Sequence, residues 1–346
     1  MYQELGLLLT TSGSTGSPKL VRQSYKNILS NAESIAEYLE LTADEKPIST
    51  LPMNYTYGLS IINSHLLVGA EILLTDEPMT SRHFWEFFRE NNATSFGGVP
   101  FTYEMLKRLR FFQMELPSLR YMTQAGGKLS PELHREFAEY AKNTGKKFIV
   151  MYGQTEATAR MAYLPSEKSL EKYGSMGIAI PHGKLWLKDV DGNQIKEADI
   201  VGELVYEGAN VTLGYAECLA DLAKEDERHG VLKTGDMAKM DADGYFYIVG
   251  RKKRFLKIYG NRVNLDEVER MIKQEFEQIE CACAGVDDHL YVFTTTDQEE
   301  IQTQIRQLLA GKTGLNPKAY IVKYIEEIPK NDAGKTLYRK LEKYYD

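Results

Sequence analysis

Between residues 5 and 152, short apolar runs alternate with segments of helical period. That alternation constrains the fold more than any other feature of the chain. Leu5–Thr10 is an apolar run that reads as a buried strand. Ser24 is placed to cap a helix carrying Ile28, Ala32, Ile35, Ala36 and Leu39 on one face. Further strands are expected at Ile48–Leu51, Glu71–Thr75, Arg120–Gln124 and Lys147–Tyr152. Helical patterns lie between them near Gly58–Val68, Ser81–Asn92, Phe101–Arg110 and Ser130–Asn143. Such a series packs as an α/β fold, with parallel-rich sheets flanked by helices. Near Gly183 the pattern changes to short strands, Lys184–Val190 and Glu203–Glu207, with hairpin signals at Asp191-Gly192 and Asp243-Gly244. A basic stretch, Arg251-Lys252-Lys253-Arg254, opens a last unit of alternating helices and strands. The expected organisation is a large domain over residues 1–250, β-rich from about 183, and a small α+β domain over 251–346. A length of 346 residues suits two domains.

Composition narrows the partners. Apolar residues make up 43%, enough for a sizeable core, and the formal net charge is −7. That charge argues against nucleic acid or an anionic membrane as partner. No apolar run reaches the ~18 residues that span a bilayer. The start Met1-Tyr2-Gln3-Glu4 lacks the basic region of a signal peptide, so a cytoplasmic protein is expected. Of the three cysteines, Cys281 and Cys283 sit two apart and would share one face of a strand. Without a second ligand pair they make a poor zinc site and read as small half-buried residues in a reducing compartment.

The first apolar run leads into Thr10-Thr11-Ser12-Gly13-Ser14-Thr15-Gly16-Ser17-Pro18-Lys19. Its chemistry suits a polyphosphate. Gly13 and Gly16 allow close backbone approach, the hydroxyls of Thr11, Ser12, Ser14 and Thr15 add donors, and Lys19 adds a positive charge. Composition alone fits a flexible polar loop equally. The Walker pattern is absent: Gly311-Lys312-Thr313 and Gly334-Lys335-Thr336 both lack the first glycine, with Arg306 and Pro329 in its place.

Further segments follow this loop in order: Tyr152-Gly153-Gln154-Thr155-Glu156, Thr234-Gly235-Asp236, Gly250-Arg251-Lys252-Lys253 with Gly260-Asn261-Arg262-Val263, and Pro329-Lys330-Asn331-Asp332-Ala333-Gly334-Lys335. Together they resemble the motifs of the adenylate-forming superfamily, which holds acyl-CoA synthetases, nonribosomal adenylation domains and luciferases. Two looser matches accompany them. Gln124-Ala125-Gly126-Gly127-Lys128 is similar to the family's strand-end glycine segment beside adenine. Leu51-Pro52-Met53-Asn54-Tyr55-Thr56-Tyr57-Gly58 is similar to its carboxylate-pocket segment.

The resemblance implies ATP-dependent activation of a carboxylic acid to an acyl-adenylate, then acyl transfer to a thiol. Thr11, Ser12, Gly13, Ser14, Thr15, Gly16 and Lys19 would hold phosphates. Gly126, Gly127, Lys128, Tyr152, Gly153, Gln154, Asp236 and Arg251 would hold adenosine, Asp236 through the ribose hydroxyls. Thr155 and Glu156 would serve catalysis, with Glu156 on Mg²⁺. Lys335 would be the catalytic lysine and Lys253 the hinge about which a mobile small domain turns. Tyr55, Tyr57 and Val99 would line the acyl pocket. Amino-acid-activating members place Asp after the pocket aromatic; here Thr56 follows Tyr55, which points away from an α-amino acid and toward an aryl or medium aliphatic acid. The acceptor is coenzyme A or the phosphopantetheine of an acyl carrier protein. No basic platform for the 3′-phosphate of coenzyme A is evident outside Arg251–Lys257, which tilts the choice toward the carrier.

The family normally carries a substantial stretch before its phosphate loop, whereas here the loop begins within a dozen residues of Met1. Either a homodimer or partner chain supplies the missing surface, or the sequence is a fragment of a longer chain. The alternative is a catalytically inactive nucleotide-binding or scaffold homologue.

Overall fold

In the computed structural model of the protein, the described residues are 1–10, 19–276, 278–330 and 336–345. By packing, the chain divides into two compact units. The first takes in most of residues 1–248; the second takes residues 235–237 and 249 onward.

The chain opens with β1 (Leu5–Thr10) and β2 (Leu20–Ser24), antiparallel neighbours. Ser24 then caps α1 (Tyr25–Leu39): its hydroxyl accepts the Asn27 N–H, and the Asn27 side chain accepts the Ser24 N–H in return. α2 (Thr56–Leu67), α3 (Arg82–Glu90), β3 (Ser95–Gly98), α4 (Pro100–Arg108), β4 (Tyr121–Gln124), α5 (Pro131–Asn143) and β5 (Lys147–Tyr152) follow. β3, β4 and β5 are parallel, and β6 (Ala162–Tyr163) and β7 (Ile178–Ala179) extend the sheet antiparallel in the order β3-β4-β5-β6-β7. Strand alternation sends Phe148 and Val150 to one face and Ile149 and Met151 to the other. The first face meets an aromatic core of Phe84, Phe88, Phe96, Tyr103, Phe111 and Phe137 under α3, α4 and α5. The second meets Ile35, Leu39 and Tyr57 from α1 and α2. Both faces are covered, as a parallel sheet requires.

β8 (Lys184–Lys188), β9 (Gln194–Ile195), β10 (Gly202–Glu207), β11 (Gly214–Ala216), β12 (Val231–Met240) and β13 (Phe246–Arg251) make up the β-rich part. β11 returns to pair with β2, and the rest form a sheet in the order β13-β12-β10-β8-β9.

The second unit holds the hairpin β14 (Phe255–Ile258) and β15 (Asn261–Asn264), then α6 (Leu265–Glu275), β16 (Cys281–Val286), β17 (His289–Thr294), α7 (Glu299–Thr313) and β18 (Tyr320–Tyr324). In the sheet β16-β17-β18, Cys281 and Cys283 face one core with Leu290 and Val292, while Ala282 and Ala284 face another with Phe293. The two thiols are wholly buried rather than half-buried. Gly311-Lys312-Thr313 closes α7, so it is no phosphate loop.

Several expected elements differ. Ile48–Leu51 and Glu71–Thr75 are not strands; only single bridges remain, Pro47 with Ser95 and Ile48 with Leu73. The Ser49 hydroxyl bonds both the N–H and the carbonyl of Thr75, replacing ladder bonds at that point. Leu5–Thr10 is a strand but not a buried one: β1 lies at the edge of the order β1-β2-β11, and only Leu9 is buried. The basic stretch is not uniformly solvated, because Arg254 is buried. Its guanidinium bonds Asp266 at 2.8 Å and Glu269 at 2.6 Å beneath the Tyr338 ring. Among the described residues no helix is long and apolar enough to cross a membrane.

Candidate active site

Tyr152–Glu156 leaves the carboxyl end of β5, the central strand of its sheet, where open α/β sheets place ligands. Gly153 is required there by space. A Cβ would stand 1.6 Å from the Ala159 carbonyl oxygen, so only glycine lets the chain double back. Gln154 Nε2 donates to the Thr234 carbonyl at 3.1 Å and to the Tyr152 hydroxyl at 3.2 Å. Thr155–Ala157 form one 3₁₀ turn that brings Glu156 out of the core. Thr158 follows at φ 65°, a costly conformation for a β-branched residue. Its hydroxyl donates to the Asn210 carbonyl and its own carbonyl accepts from the Thr56 hydroxyl, both at 2.7 Å.

Glu156 is held by residues that no sequence motif marks. The Tyr215 hydroxyl donates to its Oε1 at 2.7 Å. Arg228 donates to its backbone carbonyl at 3.1 Å and stacks on the Tyr215 ring at 4.7 Å. Burial, reinforced by the Glu156 charge, pushes the Tyr215 pKa up to about 12, so the hydroxyl remains a donor at neutral pH. The segment carrying Tyr215 is pinned by Arg22, fully buried on β2, which reaches the carbonyls of Leu213, Tyr215 and Glu225 and the Glu227 carboxylate. Lys19, at the end of the hydroxyl-rich loop, pairs with Glu217 at 2.6 Å and lies 5.7 Å from the Tyr215 ring.

Among the described residues, Glu156 Oε2 accepts no hydrogen bond. Among the same residues no group of three or more acidic, His or Cys side chains is gathered there for a metal. One positioned carboxylate with a free oxygen suits Mg²⁺, which takes few protein ligands and completes its shell with phosphate and water.

Tyr55, Val99 and Gly126 converge. A Cβ on Gly126, whose φ is +82°, would lie 2.5 Å from the Tyr55 hydroxyl and 3.0 Å from Val99 Cγ1. Gly127 lies against Pro100, and Lys128 Nζ donates to the Ile248 carbonyl. Tyr57 does not share this face: it is buried, and its hydroxyl donates to the Thr123 carbonyl at 2.8 Å. Gln124, fully buried at the end of β4, donates to the Gly127 carbonyl, yet its Oε1 has no partner among the described residues.

In the second unit Asp236 and Arg251 meet, Oδ1 to Nε at 2.7 Å, with the Asp236 side chain buried. Lys253 is exposed in the turn Lys252–Arg254. Thr11, Ser12, Gly13, Ser14, Thr15, Gly16 and Lys335 lie outside the described residues.

Comparison with known proteins places the chain. The model of the AMP-binding enzyme family matches residues 3–216, and the chain belongs to that family. An indoleacetate–CoA ligase of Aromatoleum aromaticum is 28% identical over 338 residues, covering 95% of this chain and 65% of the relative. A 2-succinylbenzoate–CoA ligase of Enterococcus faecalis is 26% identical over 344 residues, covering 96% of this chain and 68% of the relative. The chain thus spans about two thirds of the length of these relatives. The structure of o-succinylbenzoate CoA synthetase from Bacillus subtilis with its acyl-adenylate intermediate superposes with a TM-score of 0.80 at 24% identity, over 99% of this chain and 70% of that one. The fold is therefore that of the adenylate-forming enzymes.

Proposed function

We propose that this chain activates a carboxylic acid with ATP and passes the acyl group to a thiol, either coenzyme A or a carrier-protein phosphopantetheine. The observation that carries the reading is Glu156, set on a strained turn at the end of the central strand, fixed through Oε1 and open at Oε2. Membership of the AMP-binding enzyme family and the CoA-ligase names of the relatives support it.

In the first half-reaction a carboxylate oxygen attacks the α-phosphorus. An acyl–phosphate bond forms, and the bond to pyrophosphate breaks. In the second the thiol sulfur attacks the acyl carbonyl, its proton passes to solvent, and AMP leaves. Charge spreads over the phosphoryl oxygens in the first step, so positioning and electrostatic stabilisation carry the catalysis. Glu156 Oε2 would hold Mg²⁺, which supplies positive charge to the phosphates. Tyr215 and Arg228 keep that carboxylate aimed. The loop 11–16 with Lys19 would grip the leaving phosphates, and Asp236 with Arg251 the ribose. Gly126 and Gly127 would admit the adenosine, beside Lys128, Tyr152 and Gln154. Tyr55 and Val99 would meet the acyl group. Lys335 would bridge the attacking carboxylate and the α-phosphate, and the unit beginning near Arg251 would turn about Lys253 between the half-reactions. A cytoplasmic location and a partner chain or second copy belong to the same reading.

Pyrophosphate release from ATP and Mg²⁺ with a panel of carboxylic acids, with and without coenzyme A, tests it. Release dependent on one acid class is expected. ATP binding without release for any acid would instead favour a nucleotide-binding homologue.

A further inference from the structure

Three arginines are buried among the described residues: Arg22, Arg160 and Arg254. Arg22 has the Glu227 carboxylate, and Arg254 has Asp266 and Glu269. Arg160, only 2% exposed, has no carboxylate within ion-pair distance among the described residues. Its Nε and Nη2 share one acceptor, the Ser60 hydroxyl, at 3.3 and 3.2 Å. Its Nη1 has only the Met151 thioether, a weak acceptor. The guanidinium lies 4.1 Å from the centre of the Tyr57 ring. A ring contact of this kind contributes about 1–2 kcal/mol, against several kcal/mol for an uncompensated buried ion. A guanidinium does not escape by losing its proton. Its fork of donors is therefore built for an anion that the described residues do not provide.

The position says what kind. Tyr57 stacks edge-on with Tyr55 at 6.2 Å, and Tyr55 meets Val99 and Gly126 on the candidate acyl face. Arg160 is thus one aromatic ring behind that face. Ser60, its partner, also lines a small mixed cavity in which Thr56, Asn63 and Thr158 stand beside Ile28, Ala32 and Leu59, with no carboxylate on its wall. Thr158, the strained residue after the Glu156 turn, stands two positions before Arg160.

We infer that Arg160 binds a second anionic group at the distal end of the substrate, so that the acid activated here is a dicarboxylic or sulfonated carboxylic acid. The inference rests on the acid-activating reading of the same site. One carboxylate would react near Tyr55, Val99 and Gly126, while the other replaces Met151 as the acceptor of the guanidinium fork.

The test compares short α,ω-diacids with their half-amides and with monoacids of equal length, for the wild type and for Arg160→Met. Pyrophosphate release should favour diacid over half-amide by roughly 100-fold in kcat/KM for the wild type, and that ratio should collapse in the variant. Arg160→Lys, which keeps the charge but loses the fork, should lie between them. Equal or better use of half-amides and monoacids by the wild type overturns the inference, whether or not Arg160→Met folds. So does an unchanged ratio in a folded Arg160→Met. Calorimetric titration of the wild type with diacid and half-amide separates this from failure of the enzymatic reading. Diacid-selective binding without pyrophosphate release would sink only the latter, and binding that does not discriminate would sink the inference itself.

Discussion

At the scale of single residues, the site depends on groups that carry no motif. Glu156 stands in a recognisable segment, but Tyr215, Arg228 and Arg22, which hold it, lie far from it in the chain and on elements of ordinary composition. Arg160 is equally silent in sequence, since an arginine eight residues after a strand reads as a solvated surface group. Burial alone gives these side chains their weight. His134 shows the same effect on stability. It is 1% exposed; its Nε2 bonds the Ser169 hydroxyl at 2.9 Å and its Nδ1 accepts the Gly174 N–H at 3.2 Å, so the neutral ring is the one that fits. Burial pushes its pKa down from 6.5 to about 4. The unfolded chain therefore binds this proton below pH 6.5, while the folded chain resists it until about pH 4. Stability from this group is complete above pH 6.5 and is lost as pH falls toward 4. Urea unfolding should show about 2 kcal/mol lost at His134 between pH 7.5 and 5. His134→Gln should flatten that part of the profile; a profile identical to wild type would contradict the assignment.

At the scale of elements, helices were legible and several strands were not. Ser24, Ser81 and Ser130 each cap a helix where the polar residue precedes a helical period, because the cap is a local interaction. β3, Ser95–Gly98, has no strand-like composition; its glycines are there because α2 and α4 press on it. A Cβ at Gly97 would come within 2.8 Å of Ile61, and one at Gly98 within 2.8 Å of Thr102. β2 was hidden for a different reason, its pairing with β1 and β11 being long-range. Arg254 joins the opening of the β14 hairpin to α6 and β16 through Asp266, Glu269 and the Cys283 carbonyl. Replacing it with Met leaves two carboxylates without their cation and should cost about 3–5 kcal/mol. Thermal or urea unfolding followed separately for each unit should show the loss in the second. A change below about 1 kcal/mol would mean that the network is solvated in the folded protein.

At the scale of the whole molecule, the proposed activity separates into two half-reactions that variants should split. Lys335→Ala should abolish acid-dependent pyrophosphate release while sparing thiol transfer from supplied acyl-adenylate; equal loss of both would remove its assigned role. Lys253→Pro should slow the transfer step more than the first, and full-rate transfer would end the hinge proposal. The sequence by itself determined the class of fold, the family and the order of the segments proposed to hold the nucleotide. Those properties are written in local periodicity and in contiguous motifs, which survive without knowledge of distant contacts. Only the tertiary structure decided which tyrosine of the pair meets Gly126, which arginine of the basic stretch is a core ion, and that Arg160 is a buried cation without a carboxylate among the described residues. Those facts depend on what packs against each side chain from elsewhere in the chain, and burial sets the cost of a charge far more strongly than residue type does.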